Sequence, residues 1–445
     1  MSHFQRSAIA LFSIIIIGSI LSALIPPMQS PDEIGHTDRA YLLSILSPTR
    51  TLPQLSTGGY VDDALQQYQA TWAQALAAKP DARVSRETAQ QTSTIRWAHE
   101  RDYTGLSGAA PYFPLGYLPQ ALGFRIGQTL DLGVGTSYRL ARFAALTAVA
   151  TIIAYAFSIF PPNALVICLL ALPMTMFQIS SASADGMSFA WTVLAGSLFR
   201  VGMQRDEVFS AWKGALLILS AFMLVTSRPQ MAGVLVLPSA VFLVRNDKRA
   251  LVASVVSSVA AVGWVGYAMS SNVDFRLTRS VTSKQAVEFY AHHPSDLVGI
   301  TWRTVTDHAV IRDYWREFVG ILGWLDRPMP AVAYEVAGAA LVCAVAISFS
   351  RRIGGATRAL AVMAAMLAVP LTFMALLMSW TDLPADVING VQGRYFIAPA
   401  LLAACALGAR DTSKRRNWAA LVLSGAFIAF STTMTVSTLL WKYYL

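Results

Sequence analysis

The chain is predicted to be an all-α, polytopic integral membrane protein, and composition and patterning carry that expectation. Of its 445 residues 55% are hydrophobic and only 13% charged, where a soluble chain carries about 25% charged residues. Mean hydropathy is +0.49, and several apolar runs reach the roughly 20 residues that a helix needs to cross a bilayer. The net charge of +9 does not point to nucleic acid, because the basic residues gather in short loops between apolar runs, as cytoplasmic anchors do.

In order along the chain, apolar runs fall at about 7–25, 138–158, 163–180, 186–203, 212–226, 230–244, 249–270, 330–349, 358–379, 395–409 and 417–440. The first, Ser7 to Ile25, is long for a signal-peptide core, and Pro26-Pro27 stands where a small-residue cleavage site belongs, so it is expected to be an uncleaved anchor. Three loops are strongly basic: Arg245 to Arg249, Arg351-Arg352 through Arg358, and Arg410 through Lys414-Arg415-Arg416. Arg200 and Arg205 add a weaker vote for the 203–212 loop. With the N-terminus inside, about eleven crossings place every one of these loops in the cytoplasm.

Segment 112–130 is apolar, but counting it as a crossing would invert all the basic loops. It contains Pro114, Gly116, Pro119, Gly123, Arg125 and Gly127, and is expected to be an interfacial or re-entrant helix on the outer face. The alternative is a true crossing compensated by a miscounted pair near 212–244. Two loops, 26–137 and 271–328, supply the sizeable extramembrane mass, the second with amphipathic stretches such as Ser283 to Tyr290. With no repeat, disordered linker or separable soluble part, residues 1–445 are expected to form a single membrane domain.

This topology sets Asp32, Glu33, His36, Asp185, Arg228, Asp326 and Arg394 on the outer side, each near a helix end. Asp32 and Glu33 follow Pro26, Pro27 and Pro31 directly after the first apolar run. Either acid is explained by helix capping or a first-turn position, or by a catalytic role, since a carboxylate at an apolar boundary can act as a general base. Positions 32, 36 and 39 share a helical face, so Asp32, His36 and Arg39 can converge. Asp185 reads as the cap of the next helix or as a second acid reaching a metal or the acceptor. Arg228 and Arg394 suit a lipid phosphate, which guanidinium grips with two parallel hydrogen bonds, or they snorkel to headgroups.

Other chemistries lack support. Cys168, Cys343 and Cys405 all fall inside apolar runs and fit core packing, with no disulfide frame and no CxxC site. His99, His292, His293 and His308 have no metal-ligand spacing and are expected at the surface. There is no P-loop, no GxGxxG after a suitable strand and no HExxH, so ATP-driven transport and zinc hydrolysis have no motif to stand on.

The string Pro31-Asp-Glu-x-x-His36-x-x-Arg39-Ala40 resembles the opening signature of the bacterial membrane-protein family catalogued as domain of unknown function 2142. Ala171 to Gly186, Gly323-Trp-Leu-Asp326 and Gln392-Gly-Arg-Tyr-Phe396 resemble its later motifs, in order and over essentially the whole chain. Where that family usually has a lysine before proline, this chain has Arg228-Pro229 and keeps the positive charge. The family's architecture looks like that of the GT-C glycosyltransferases, which use polyprenyl-phosphate sugars on the periplasmic face, and Tyr112 to Tyr117 resembles their interfacial Pro-Pro-Leu-x-Tyr-like segment.

That resemblance implies an enzyme of the bacterial inner membrane, with its site facing the periplasm or cell exterior. It would move a sugar from a polyprenyl-phosphate carrier to a glycan, lipid or protein acceptor of the cell envelope. Asp32 or Glu33 would be the base, with His36 completing the catalytic group; Arg39, Asp185, Arg228, Asp326, Arg394 and Tyr395 would bind substrate. The hard oxygens of Asp32 and Asp185 leave a divalent cation (Mg or Mn) open, though no spacing requires one. The rivals are a glycolipid flippase or polysaccharide exporter using the same arginines for phosphate and the acids for proton coupling, and a structural subunit of an assembly complex. Transporters usually place ionisable groups near the bilayer midplane, whereas here they gather at one interface.

Overall fold

The computed structural model describes residues 3–445 except 77–78, 80, 107, 276–278, 350–353 and 409–412. The basic positions Arg351, Arg352 and Arg410 lie outside the described residues. The architecture is all-α, with two small two-stranded antiparallel sheets, Gly58–Asp62 with Arg101–Gly105 and Ile321–Leu322 with Arg327–Pro328.

Each of the apolar runs is helical, but not all as one long helix. Among the described residues, six helices are long and apolar enough to cross a membrane: Gln5–Leu24, Val134–Ile159, Lys248–Ser271, Ala331–Ser348, Gly355–Ser379 and Lys414–Tyr443. Proline accounts for several of the breaks in the others. Leu172 is extended before Pro173, so run 163–180 divides into Ala164–Leu170 and Pro173–Ile179. Arg228 is extended before Pro229, so Ala211–Ser227 stops there, and the chain resumes as a 3-10 turn, Pro229–Leu235, and a short helix, Val236–Arg245. Run 395–409 likewise opens with a 3-10 turn, Gly393–Phe396, ahead of Ile397–Leu407. These interruptions matter because irregular backbone inside a membrane protein survives where protein buries it, and Asp185, Arg228 and Arg394 sit at them.

Cross-helix hydrogen bonds define the two ends of the bundle. At one end Arg245 donates to the carbonyls of Gly202, Gln204 and Glu207, and Ser7 Oγ donates to the Ala154 carbonyl. At the other, Arg142 donates to the carbonyls of Ser22, Ile25 and Pro26, and Tyr444 Oη to that of Leu24. Segments 26–137 and 271–328 both lie at this second end, where the Thr57 N–H meets the Val273 carbonyl and the Val84 N–H meets the Tyr443 carbonyl.

Segment 112–130 forms a 3-10 turn, Pro114–Tyr117, and a helix, Leu118–Thr129, of 12 residues. At 1.5 Å per residue that helix covers about 18 Å, short of the ~30 Å hydrocarbon core. Tyr117, Ala121 and Phe124 face inward while Leu115, Leu118, Leu122 and Ile126 remain exposed, so the segment has one packed and one open apolar face. The amphipathic stretch from Ser283 is a helix too, Ser283–His292, started by a capping box between Thr282 and Gln285. His99, His292, His293 and His308 are exposed.

Candidate functional site

The site begins with the short link between the first helix and helix Glu33–Ser44. Asp32 stands at the N-cap position with φ 61° and ψ 7°, the left-handed region that an L-residue other than glycine rarely enters, and its side chain makes no capping bond. The carboxylate instead meets Arg394, with Nη2 to Oδ2 at 2.7 Å, while 47% of the Asp32 side chain stays exposed. Strained backbone of this kind concentrates at functional positions.

Glu33 is the opposite case, with a fully buried carboxylate in an ion pair with Arg142 at 2.9 Å. Its Oε1 also accepts from Tyr138 Oη at 2.7 Å and from the Ala182 N–H at 2.9 Å, and Oε2 accepts from the Ser30 N–H at 3.1 Å. One side chain thereby ties the proline-rich link, helix Val134–Ile159 and the buried loop 180–184 together. The loop adds its own bonds, Ser183 Oγ to Gln178 Oε1 at 2.7 Å and Ser30 Oγ to the same oxygen at 3.2 Å.

Asp185 opens helix Asp185–Gly202, where the helix dipole favours a negative charge, but its carboxylate serves two arginines rather than the cap. Oδ1 pairs with Arg228 and Oδ2 with Arg394 Nη1, the latter at 2.7 Å. Arg394 therefore spans Asp32 and Asp185 with its two terminal nitrogens, and its Nε donates to Gln392 Oε1 at 2.6 Å. The turn that presents it needs glycine, because a Cβ on Gly393 would lie 1.9 Å from the Tyr314 carbonyl oxygen. The Gly393 N–H is held by the Glu317 carboxylate at 2.7 Å. Tyr395 lies against the same guanidinium, 5.2 Å from ring centroid to the arginine carbon.

On the far side of Asp185, Arg228 donates to Tyr112 Oη at 3.2 Å and lies over its ring. Tyr112 stacks on His36, with centroids 5.7 Å apart, and its carbonyl accepts from Arg39 Nη2 at 3.3 Å. His36 Nδ1 and Tyr117 Oη are 2.8 Å apart. Of positions 32, 36 and 39, His36 and Arg39 both meet Tyr112, while the Asp32 carboxylate is turned to Arg394. Arg39 is buried, its Nε has no hydrogen-bond partner, and no carboxylate pairs with it among the described residues.

Burial and local charge set the protonation states. Burial, joined by Arg228 and Arg394, pushes the His36 imidazole down to about 4 despite Asp32 and Asp185, leaving it neutral at pH 7. At Asp32 the loss of solvation acts upward, but the charges of Arg394, His36 and Arg228 outweigh it and hold the carboxyl below its ordinary value. Burial raises the Tyr117 hydroxyl well above its ordinary value, so it remains a proton donor.

An apolar cleft adjoins this network. About 280 Å³ of empty space, counted with its open mouth, lies among Tyr112, Tyr117, Met187, Trp191, Met223 and Ser227. Two walls of the cleft, Tyr112 and Tyr117, are the rings that contact His36.

Asp326 stands apart from the network. It lies in the turn after Ile321–Leu322, accepts from the Trp324 N–H at 2.9 Å and is 3.5 Å from Arg327 Nε. Its turn still bears on the site, since Trp324 Nε1 donates to the Met28 carbonyl at 2.7 Å in the link leading to Asp32. Among the described residues no group of three His, Cys, Asp or Glu side chains is placed to hold a metal ion. The sequence reading gave no role to Arg142, Tyr138 or Gln178, and marked Tyr112 only as the start of an interfacial segment. An arginine within the apolar stretch that begins helix Val134–Ile159 was the available signal, because such a charge needs a partner.

No curated protein and no solved structure matches the chain. The family described as "Predicted membrane protein (DUF2142)" matches residues 15–403. That interval contains the whole Asp32–Arg394–Asp185–Arg228 network, and the chain belongs to this family of predicted membrane proteins.

Proposed function

We propose that the protein is a membrane glycosyltransferase of GT-C type that transfers a sugar from a polyprenyl-phosphate carrier to an acceptor of the cell envelope. The observation that carries this is the setting of Asp32: an exposed carboxylate paired with Arg394, in an arginine-rich network whose Tyr112 also walls an apolar cleft. A lipid-linked phosphate has that two-part chemistry, an anion for Arg228 and Arg394 and an apolar chain for the cleft. The end bearing Arg245 and Arg416 follows the positive-inside pattern, so the site faces the exterior of the inner membrane.

In the proposed step the acceptor hydroxyl oxygen attacks the anomeric carbon as the bond from that carbon to the phosphate oxygen breaks. Asp32 takes the hydroxyl proton, polyprenyl phosphate leaves, and configuration inverts in the single displacement. Arg394 and Arg228 stabilise the leaving phosphate in a low-dielectric setting, where each contact gains strength. A phosphate on Arg394 also weakens its grip on Asp32, which raises the basicity of that carboxylate as the donor arrives. Neutral His36, fixed by Tyr117 and Tyr112, orients groups beside Asp32 without adding charge. Glu33 has a scaffolding part, its oxygens being occupied by Arg142, Tyr138 and backbone. A divalent cation on Asp32 and Asp185 would have to displace Arg394, so charge compensation is assigned to the guanidinium.

The test is complementation of a surface-glycan defect in a deletion strain by Asp32→Asn at matched membrane levels. A glycan lacking one sugar, with its lipid-linked donor accumulating, supports transfer. A complete glycan removes Asp32 from the chemistry and leaves the flippase or structural alternatives.

A further inference from the structure

Arg200 presents an anomaly at the opposite end of the bundle. It lies in the last turn of helix Asp185–Gly202 and is 3% exposed. Its Nε has no hydrogen-bond partner, and no ion pair involves it among the described residues. Its contact is with the face of Phe160, whose ring centroid is 5.1 Å from the guanidinium carbon. A buried guanidinium is costly unless an anion or acceptors compensate it.

The ordinary explanation, an arginine capping the carbonyls of its own helix end, is already filled by another residue. Arg245 Nε donates to the Gly202 carbonyl at 2.7 Å, and its Nη2 donates to those of Gln204 and Glu207 at 2.7 and 2.9 Å. Phe160, which carries Arg200, also walls a cleft completed by Pro161, Val166, Val193, Ser197 and Cys405, enclosing about 250 Å³ of empty space with its mouth. Ser197 is one helical turn before Arg200, so the guanidinium and the cleft share an edge of the same helix.

We propose that Arg200 and this cleft form a second anion site, which takes the phosphate of an anionic phospholipid from the leaflet at the basic end of the bundle. Most of that space is the open mouth of the cleft, so the headgroup phosphate lies at the mouth beside Arg200 while the acyl chains stay in the bilayer. The phosphate supplies the acceptors that Arg200 lacks, with charge-assisted hydrogen bonds in place of an uncompensated charge. Nothing in this assignment depends on the chemistry at Asp32.

The experiment is native mass spectrometry of the full-length protein released from nanodiscs containing phosphatidylglycerol and phosphatidylcholine, comparing wild type, Arg200→Gln, Arg200→Lys and Ser197→Leu. Wild type is expected to retain phosphatidylglycerol selectively. Arg200→Gln should hold one tightly bound phosphatidylglycerol fewer per protein, with affinity at that position down about tenfold or more. Arg200→Lys should restore part of the retention, and Ser197→Leu should reduce it by filling the cleft. Removing an uncompensated buried charge leaves Tm unchanged or raised, so lost retention will not reflect unfolding. Equal phosphatidylglycerol retention by wild type and Arg200→Gln overturns the site. Thermal protection of wild type by millimolar inorganic phosphate, with no selectivity for phosphatidylglycerol, overturns the lipid as its source.

Discussion

Asp32 and Glu33 are adjacent in the chain, yet their carboxylates have separate partners: Asp32 reaches Arg394 with 47% of its side chain exposed, and Glu33 is sealed on Arg142. The two substitutions should therefore fail differently. Glu33→Gln leaves Arg142 as a buried guanidinium without its carboxylate and should cost about 3–5 kcal/mol. Asp32→Asn loses a half-exposed ion pair and keeps a residue that tolerates the left-handed backbone, so its stability should stay within about 1 kcal/mol of wild type. Thermal unfolding of both proteins in the same detergent checks this contrast.

Arg394 should not be replaceable by lysine. Its two terminal nitrogens serve Asp32 and Asp185 separately, at 2.7 Å each, and a single ammonium lacks that planar fork. Retention of polyprenyl phosphate, read by native mass spectrometry, should fall about tenfold or more in both Arg394→Lys and Arg394→Gln. Undiminished retention by Arg394→Gln would remove the phosphate from this residue.

Gly393→Ala tests the turn that aims Arg394. The added Cβ would lie 1.9 Å from the Tyr314 oxygen and 2.6 Å from the Phe318 nitrogen, both backbone atoms of helix His308–Gly320. Because that backbone must shift, a loss of about 1–3 kcal/mol or more is expected, along with weaker polyprenyl phosphate retention. Tm and retention should drop together.

Much of this site is legible in the sequence. The proline-flanked acids and the interrupted runs at Asp185, Arg228 and Arg394 mark one end of the bundle, and the structure joins Asp32, Asp185, Arg228 and Arg394 there. What separates Asp32 from Glu33 is not local. Glu33 is buried because Arg142, more than a hundred residues later, needs a carboxylate inside the bundle. Asp326 illustrates the converse: its position in a Gly-Trp-Leu-Asp motif resembles the other acids, but its turn directs it to Arg327 and the Trp324 N–H. The length of one helix was obscured for a similar reason, since hydropathy runs through Pro173 while the backbone breaks there.

A titration is built into helix Glu33–Ser44. Burial pushes the Asp38 carboxyl up to about 7, partly opposed by the hydrogen bond that Gln69 donates at 2.7 Å. An unfolded Asp ionises near 3.9, so between that value and about 7 the folded state binds more protons and stability falls as pH rises. Asp38→Asn should match wild type at pH 4 and be more stable by up to a few kcal/mol at pH 8. His36 acts in the other direction, its depressed value of about 4 removing stability as pH falls below its unfolded value near 6.5. Comparing Tm at the two pH values isolates Asp38, since the variant and wild type share His36.

The most direct measurement is turnover by the purified protein in proteoliposomes, supplied with polyprenyl-phosphate-linked sugars and envelope acceptors extracted from the source cells. Release of polyprenyl phosphate and gain of sugar on the acceptor are followed together by mass spectrometry. With Asp32 as the base, wild type releases the carrier in step with acceptor glycosylation, and Asp32→Asn slows both about 10²–10⁴-fold while its stability stays within about 1 kcal/mol of wild type and its carrier binding is undiminished. Equal turnover by wild type and Asp32→Asn, or passage of the intact lipid-linked sugar across the bilayer without release of the carrier, would contradict the assignment.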